Sequence, residues 1–395
     1  MPVHPHDSSY DPTMLHRTPK STRRVALVAR GASVAGGEVS LLTLARHLPA
    51  GWSPLIWVTE EGELSERAES MGLEVHGGSW EFLSPRRPLQ AARRVRETAR
   101  ALDELAVDLV HINSPVEASE FVGAALWARR PSLVHVRIAY ELEFLRTQGL
   151  ALADEVVFNS HALRAGIGWA GGRVVHNGVE LTEPLAAADR DALRAEFGAR
   201  NGECLFGQVG QVIETKGVDL RLRALARLAQ SATPWRLVIV GDDHQAKGEY
   251  RKAMEALAQE LGVQDRVLFT GYRRDAQALM GALDVLLCPS RAEPFGRVLI
   301  EAMSQKVPSI AARVGGIPEV LVDQSEGLLV ASEDVEALSR AAERLLENPT
   351  LRQDFGRRGR ARAEEYFSAG AHAEQIVAIY DRVSSPFLRS GGVAS

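Results

Sequence analysis

Short apolar runs alternate along this chain with stretches whose apolar positions recur at helical spacing. The runs at 25–29, 54–58, 73–75, 108–112, 133–136, 155–158 and 174–175 read as strands. Between them, stretches ending near 48, and at 64–71, 88–105 and 118–128, read as helices. A polar, Ala- and Asp-rich segment follows at 178–202. The alternation then restarts, with strands at 205–209, 237–240, 267–269, 284–288 and 311–312. Helices are expected at 218–229, 249–261, 275–283 and 298–306, and two or three more run to about 383. Strand–helix alternation implies an α/β fold with parallel, doubly wound sheets, and the restart implies two Rossmann-like halves.

Length and composition fit that pattern. At about 150 residues per domain, 395 residues make two large domains. Hydrophobic residues at 45% and charged residues at 25% are ordinary for a globular protein. A net charge of −5 argues against nucleic acid as the main partner. Cys204 and Cys288 lie in apolar runs, which predicts buried thiols and excludes a cysteine metal cluster. No apolar run is long enough to span a bilayer, and the run at 25–29 is too short for a secretory core and is stopped by Arg30. A cytoplasmic location is the expectation.

The chemistry concentrates at strand ends. The run at 284–288 feeds Glu293-Pro294-Phe295-Gly296, and a helix follows with Val298 at its start and Glu301 expected about two turns in. The 311–312 run feeds a second junction, Gly315-Gly316-Ile317-Pro318-Glu319. In an open parallel sheet the carboxyl ends of strands are where ligands bind, and helix N-termini there offer free N–H groups. The bland alternative for Glu293 and Glu301 is a solvated surface pair. Two glycine-bearing loops at one edge favour a site.

An E-x7-E motif in the form EPFGxxxIEAM, followed by GGxPE, resembles the retaining glycosyltransferases of family 4, which have the GT-B fold. The resemblance covers residues 25–383. It implies two Rossmann-like domains facing across a cleft, a nucleotide-diphosphate sugar (UDP- or GDP-linked) as co-substrate, no cofactor and no metal. Glu301 would accept the ribose hydroxyls, since a carboxylate only accepts. Glu293, with the N–H groups of Phe295 and Gly296, would hold sugar hydroxyls. Pro294, Val298, Gly315 and Gly316 would line the donor cleft. Gly36, Gly37 and Glu38 match the family's GGxE loop. Gly210, Gly241 and Gly271-Tyr272 would border the donor, and Lys216 matches the lysine that binds the diphosphate. Gln211 stands where the family usually has arginine, which removes one fixed positive charge. Arg137 falls where many members have a strand-end histidine and is a candidate for the missing charge, with a surface arginine as the alternative. His111 and Asn113 end the preceding strand, and His111 reads more readily as a structural histidine.

The domain plan is a disordered leader at 1–22, an acceptor domain at 23–190, a donor domain at 191–370, and a terminal helix at 371–395 that returns to the first domain before a loose tail. The polar stretch 177–202 is the expected hinge. The acceptor is unidentified. A sugar-nucleotide epimerase of the same fold, a catalytically degenerate subunit, or a non-catalytic two-lobed sugar-binding protein are the competing readings. The arginine-rich stretch at 86–100, with Val95, Leu102 and Leu105 opposite the arginines, is a candidate for weak contact with an anionic lipid surface at the inner face of the membrane. A solvated helix face is its alternative.

Overall fold

The computed structural model describes residues 22–80, 82–83, 86–243 and 247–390. Residues 1–21 of the leader expected at 1–22, and the last five residues of the tail, lie outside the described residues.

Seven strands form the first sheet: β1 (Arg23–Ala29), β2 (Trp52–Val58), β3 (Glu74–Gly77), β4 (Leu109–Ile112), β5 (Ser132–Val136), β6 (Glu155–Phe158) and β7 (Arg173–Val174). Six form the second: β8 (Cys204–Val209), β9 (Trp235–Val240), β10 (Val267–Gly271), β11 (Val285–Cys288), β12 (Ser309–Ala312) and β13 (Gly327–Val330). The orders are β3-β2-β1-β4-β5-β6-β7 and β10-β9-β8-β11-β12-β13. Every strand pair is parallel, in the 3-2-1-4-5-6 order of doubly wound nucleotide folds. The order reverses beside β1 and β4 in one sheet and beside β8 and β11 in the other, so each half has a crevice at its carboxyl edge. The strands read as unbroken apolar runs because helices cover both faces. Val25, Ala26, Leu27 and Val28 are all fully buried, for example.

Each sheet has a core on either side. The last helix, Ala369–Ser390, places Ala373, Ile376, Ile379, Tyr380 and Val383 among Val25, Leu27 and Leu41 of the first half. The chain therefore crosses between the halves twice, and the crossings lie side by side. Val179 donates its N–H to the Phe367 carbonyl at 2.9 Å, and Ala369 donates to the Val179 carbonyl at 3.0 Å.

Three local expectations need correction. Glu301 is the fifth residue of helix Arg297–Ser304, one turn in and not two, because Gly296 at φ 101° turns the chain into the helix only at Arg297. The stretch 177–202 is not loose throughout. It contains helix Ala187–Glu196, whose Arg190 and Arg194 each reach Asp284 at 2.8 Å and tie it to the second half. A division at 190/191 thus falls inside that helix, and the passage between the two cores lies nearer Asn177 to Val179. Finally, Leu102 of helix Pro88–Glu104 is fully buried in the first core and Leu105 packs against it, so that apolar face covers protein.

Candidate functional site

Loops from the carboxyl edges of both sheets meet. Ser160, just after β6, donates its hydroxyl to the Pro294 carbonyl at 2.7 Å. Arg297 reaches from the second half to the Ser40 hydroxyl at 2.7 Å and the Gly178 carbonyl at 3.1 Å. Ser40 lies on helix Gly36–His47, and a Cβ on Gly36 would sit 3.9 Å from the Arg297 side chain. Gly315 has φ 48°, and a Cβ there would lie 2.0 Å from the Glu293 carbonyl oxygen. Only glycine lets the GGIPE loop close on the EPFG loop in this way. The same close approach explains Gly241, where a Cβ would fall 1.9 Å from the Gly210 carbonyl. The ends of β8, β9 and β10 are thus pressed together, with Gly241 donating to the Gly271 carbonyl at 2.9 Å and Tyr272 half exposed beside them.

Lys216 and Glu293 come together. Their Nζ and Oε2 atoms are 2.6 Å apart, with 29% and 11% of the two side chains exposed. Lys216 ends a short 3-10 turn, Glu214–Lys216, and Gly217 follows at φ 67°. Arg221 holds that turn from below, donating to the Lys216 carbonyl at 2.6 Å and the Leu287 carbonyl at 3.0 Å. Burial lowers the Arg221 pKa to about 10, which leaves it charged at neutral pH. Gln211 is exposed, with its backbone carbonyl accepting from Gln208 at 3.3 Å.

A second group of charges surrounds Glu301. Arg297 is 3.3 Å from Glu301, one turn away on the same helix. On the first half, Arg137 is buried at the end of β5, where Nε donates to Asn113 Oδ1 at 2.8 Å and Nη1 donates to Asn177. A Cβ on Gly37 would meet the Arg137 side chain at 3.6 Å, and Asn113 donates to the Gly37 carbonyl at 3.3 Å. Burial, and then the nearby Arg297 charge, lower the Arg137 pKa to about 9. It remains a cation at neutral pH, held behind the Gly36-Gly37 loop.

His111 is elsewhere. It is fully buried, its Nδ1 is 2.6 Å from the Tyr380 hydroxyl, and its ring stacks on His135 at 5.5 Å. His372 of the terminal helix lies 6.4 Å from His135. Burial holds all three well below the ordinary histidine pKa, His372 down to about 3, so they are neutral rings between the first sheet and the returning helix. Asp243 is also structural: its carboxylate accepts the Tyr250 N–H at 2.7 Å as helix Glu249–Glu260 begins. Sequence reasoning missed Arg297, Arg221, Ser160 and Asn177. Arg297 carried a visible signal, a charge placed at the first position of the helix after EPFG. The others gave none.

The chain is similar to known proteins in both sequence and fold. The Glycosyltransferase Family 4 model matches residues 34–183, and the Glycosyl transferases group 1 model matches residues 189–362. Among curated proteins, the chain is 34% identical over 218 residues to a D-inositol 3-phosphate glycosyltransferase of Mycobacteroides abscessus, covering 54% of this chain and 47% of that protein. It is 34% identical to a 2-deoxystreptamine glucosyltransferase of Streptomyces kanamyceticus, covering 50% and 51%. The chain thus spans about half the length of the curated relatives it matches. Over nearly its whole length the fold superposes on solved structures. Anabaena Alr3699/HepE in complex with UDP gives a TM-score of 0.81 at 24% identity, covering 91% of this chain and all of that one. A glycosyltransferase from Rickettsia africae gives 0.82 at 18% identity, covering 92% and 99%. Two matched sequence models, one for each half, and two parallel sheets in the GT-B arrangement identify the chain as a member of the group 1 glycosyltransferases of family 4.

Proposed function

We propose that this protein transfers a sugar from a nucleotide-diphosphate donor to an acceptor hydroxyl, with retention at the anomeric carbon and without a catalytic metal ion. The observation that carries the reading is the convergence of Lys216, Glu293, Arg297 and Glu301 at one edge of the cleft, opposite the Gly36-Gly37 loop and Arg137. Sugar transfer leaves negative charge on the departing diphosphate, and preorganised cations placed where that charge develops dominate such catalysis. In this reading Lys216 exchanges Glu293 for the diphosphate when donor binds. Glu293 is then freed to accept from the sugar hydroxyls. Arg297 and Arg137 supply positive charge in place of the arginine absent at Gln211, a role otherwise taken by a metal ion. Glu301 leaves Arg297 to accept the ribose hydroxyls. A UDP-linked donor is favoured, because the solved neighbours include complexes with UDP and UDP-glucose. We place the enzyme in the cytoplasm with an unidentified acceptor. The epimerase reading is not favoured, since both matched models describe glycosyltransferases.

The test is nucleotide release from a panel of UDP- and GDP-sugars with candidate acceptors, followed for the wild type and Lys216→Ala. Turnover should fall ~10²-fold or more in the variant, as for loss of one preorganised charge partner. The unfolding midpoint should move little, because the ion pair is partly solvated. A near-normal rate in Lys216→Ala removes Lys216 from the site.

A further inference from the structure

The domain junction holds a group of donors that sugar transfer does not use. Glu319, of the GGIPE loop in the second half, reaches across to the first half. Its carboxylate accepts the N–H of His161 at 2.9 Å, the N–H of Ala162 at 2.8 Å, and lies 2.9 Å from His176 Nε2. His161 begins the helix that follows β6, and His176 follows β7. The His161 and His176 rings are edge to face at 6.1 Å, and one ligand atom from each of His161, His176 and Glu319 falls within 4.8 Å of the other two. His161 is exposed, while the other two are half-buried. The site therefore presents a carboxylate, oriented by two backbone donors, beside two imidazoles.

The geometry points to a metal site across the domain junction, with His161, His176 and Glu319 as ligands for Zn(II) or a similar late first-row divalent ion. Two histidines and a glutamate are a donor set that zinc accepts, and three protein ligands leave one position open to solvent. With metal–ligand distances of about 2.0–2.1 Å and a tetrahedral angle, the 2.9 Å separation of His176 Nε2 from Glu319 would widen to about 3.3 Å. The ion would take the place of the hydrogen bond between His176 Nε2 and the Glu319 carboxylate. The backbone donors to Glu319 stay in place as the outer shell that orients the ligand. An ion here joins a loop of the second half to two segments of the first. It also lies beside the donor cleft, because the His176 ring stacks on Phe295 of the EPFG loop at 5.4 Å. Its consequence is a junction that zinc holds closed.

The experiment titrates Co(II) into untagged full-length protein, reads the visible ligand-field absorption, and then displaces cobalt with Zn(II). Wild type should show one saturable site with a tetrahedral or five-coordinate spectrum, and Zn(II) should raise its unfolding midpoint. His161→Ala and His176→Ala should each weaken binding at least ~10-fold and abolish the zinc shift, in keeping with loss of one of three ligands. His161 is exposed, so its replacement puts folding at little risk. Featureless titration of the wild type overturns the proposal. So does unchanged affinity in both variants, which would assign the metal to other histidines such as His4, His6 and His16.

Discussion

Glu301 shows what a single residue's surroundings add to its position in a motif. Spacing places it in the same strand–loop–helix unit as Glu293, but only the structure puts Arg297 at 3.3 Å from its carboxylate and Ser40 on the other side of the guanidinium. If the carboxylate takes the ribose hydroxyls, Glu301→Gln should weaken nucleotide affinity by ~10-fold, as for loss of a charge-assisted hydrogen bond. Calorimetry showing unchanged affinity would end that role. Glu117 gives a different prediction. It is fully buried with Arg30 at 3.9 Å, and burial raises its pKa from 4.5 to about 7. The native state therefore keeps a proton that the unfolded chain has already lost. Its contribution to stability declines as pH rises from about 4.5 to about 7, by about 3 kcal/mol in all. Glu117→Gln should remove that slope, so the variant should gain on the wild type between pH 5 and pH 8 by chemical denaturation. Parallel stability curves would show that the carboxyl titrates normally. Lys216, Glu293 and Glu301 could be named from the sequence because they stand in motifs that resemble those of family 4. Arg221 and Asn177 were not, because their importance lies in partners 66 and 40 residues away.

At the scale of elements, strands were the most legible parts. A buried parallel strand is an apolar run bounded by polar loop residues, and that pattern survives without tertiary knowledge. Helix Ala187–Glu196 was missed because it buries none of its residues and so has no apolar stripe to read. Helix Pro88–Glu104 shows a subtler limit. Spacing detects an apolar face but does not say whether protein or lipid covers it. The structure spends Ala99 and Leu102 on the core, pairs Arg94 with buried Glu120 at 3.1 Å, and sets Arg96 over Trp127 at 4.8 Å. What stays outward is the start of the helix. Leu89 is 87% exposed and Phe82 58% exposed, and Phe82, Arg86, Arg87 and Arg94 line a cavity of about 340 Å³. No described helix is long and apolar enough to cross a membrane. Lipid contact here would combine these apolar tips with the arginines, and salt would weaken it. The protein should pellet with vesicles rich in acidic phospholipid at low salt and stay in the supernatant with neutral ones. Leu89→Ser with Phe82→Ser should reduce pelleting several-fold. Equal pelleting with and without acidic lipid ends the idea.

The whole molecule is two crevices facing each other, joined by paired crossings at Val179 and at 367–369. The candidate site belongs to neither half alone: Gly37 and Arg137 come from the first, and Lys216, Glu293 and Glu301 from the second. Among the described residues, the polar contacts that cross the mouth are chiefly Ser160 to Pro294, Arg297 to Ser40 and Gly178, and Glu319 to the His161 and Ala162 N–H groups and to His176. At about 1 kcal/mol net for each hydrogen bond, and somewhat more for those to charged groups, together they are worth on the order of 5–10 kcal/mol. An equilibrium of that size is within reach of a ligand that touches both halves. The side-by-side crossings suit such a motion, since a hinge of two short chain segments bends while both sheets stay intact. Closing would also exclude water and strengthen attraction between Lys216 and a bound diphosphate. A saturating nucleotide-sugar should therefore lower the radius of gyration measured by small-angle scattering. The measurement belongs in chelator, so that no metal ion at His161, His176 and Glu319 holds the halves together beforehand. An unchanged radius, with donor binding confirmed by calorimetry in the same buffer, would mean that the halves stand closed without donor and that these few contacts suffice to keep them so.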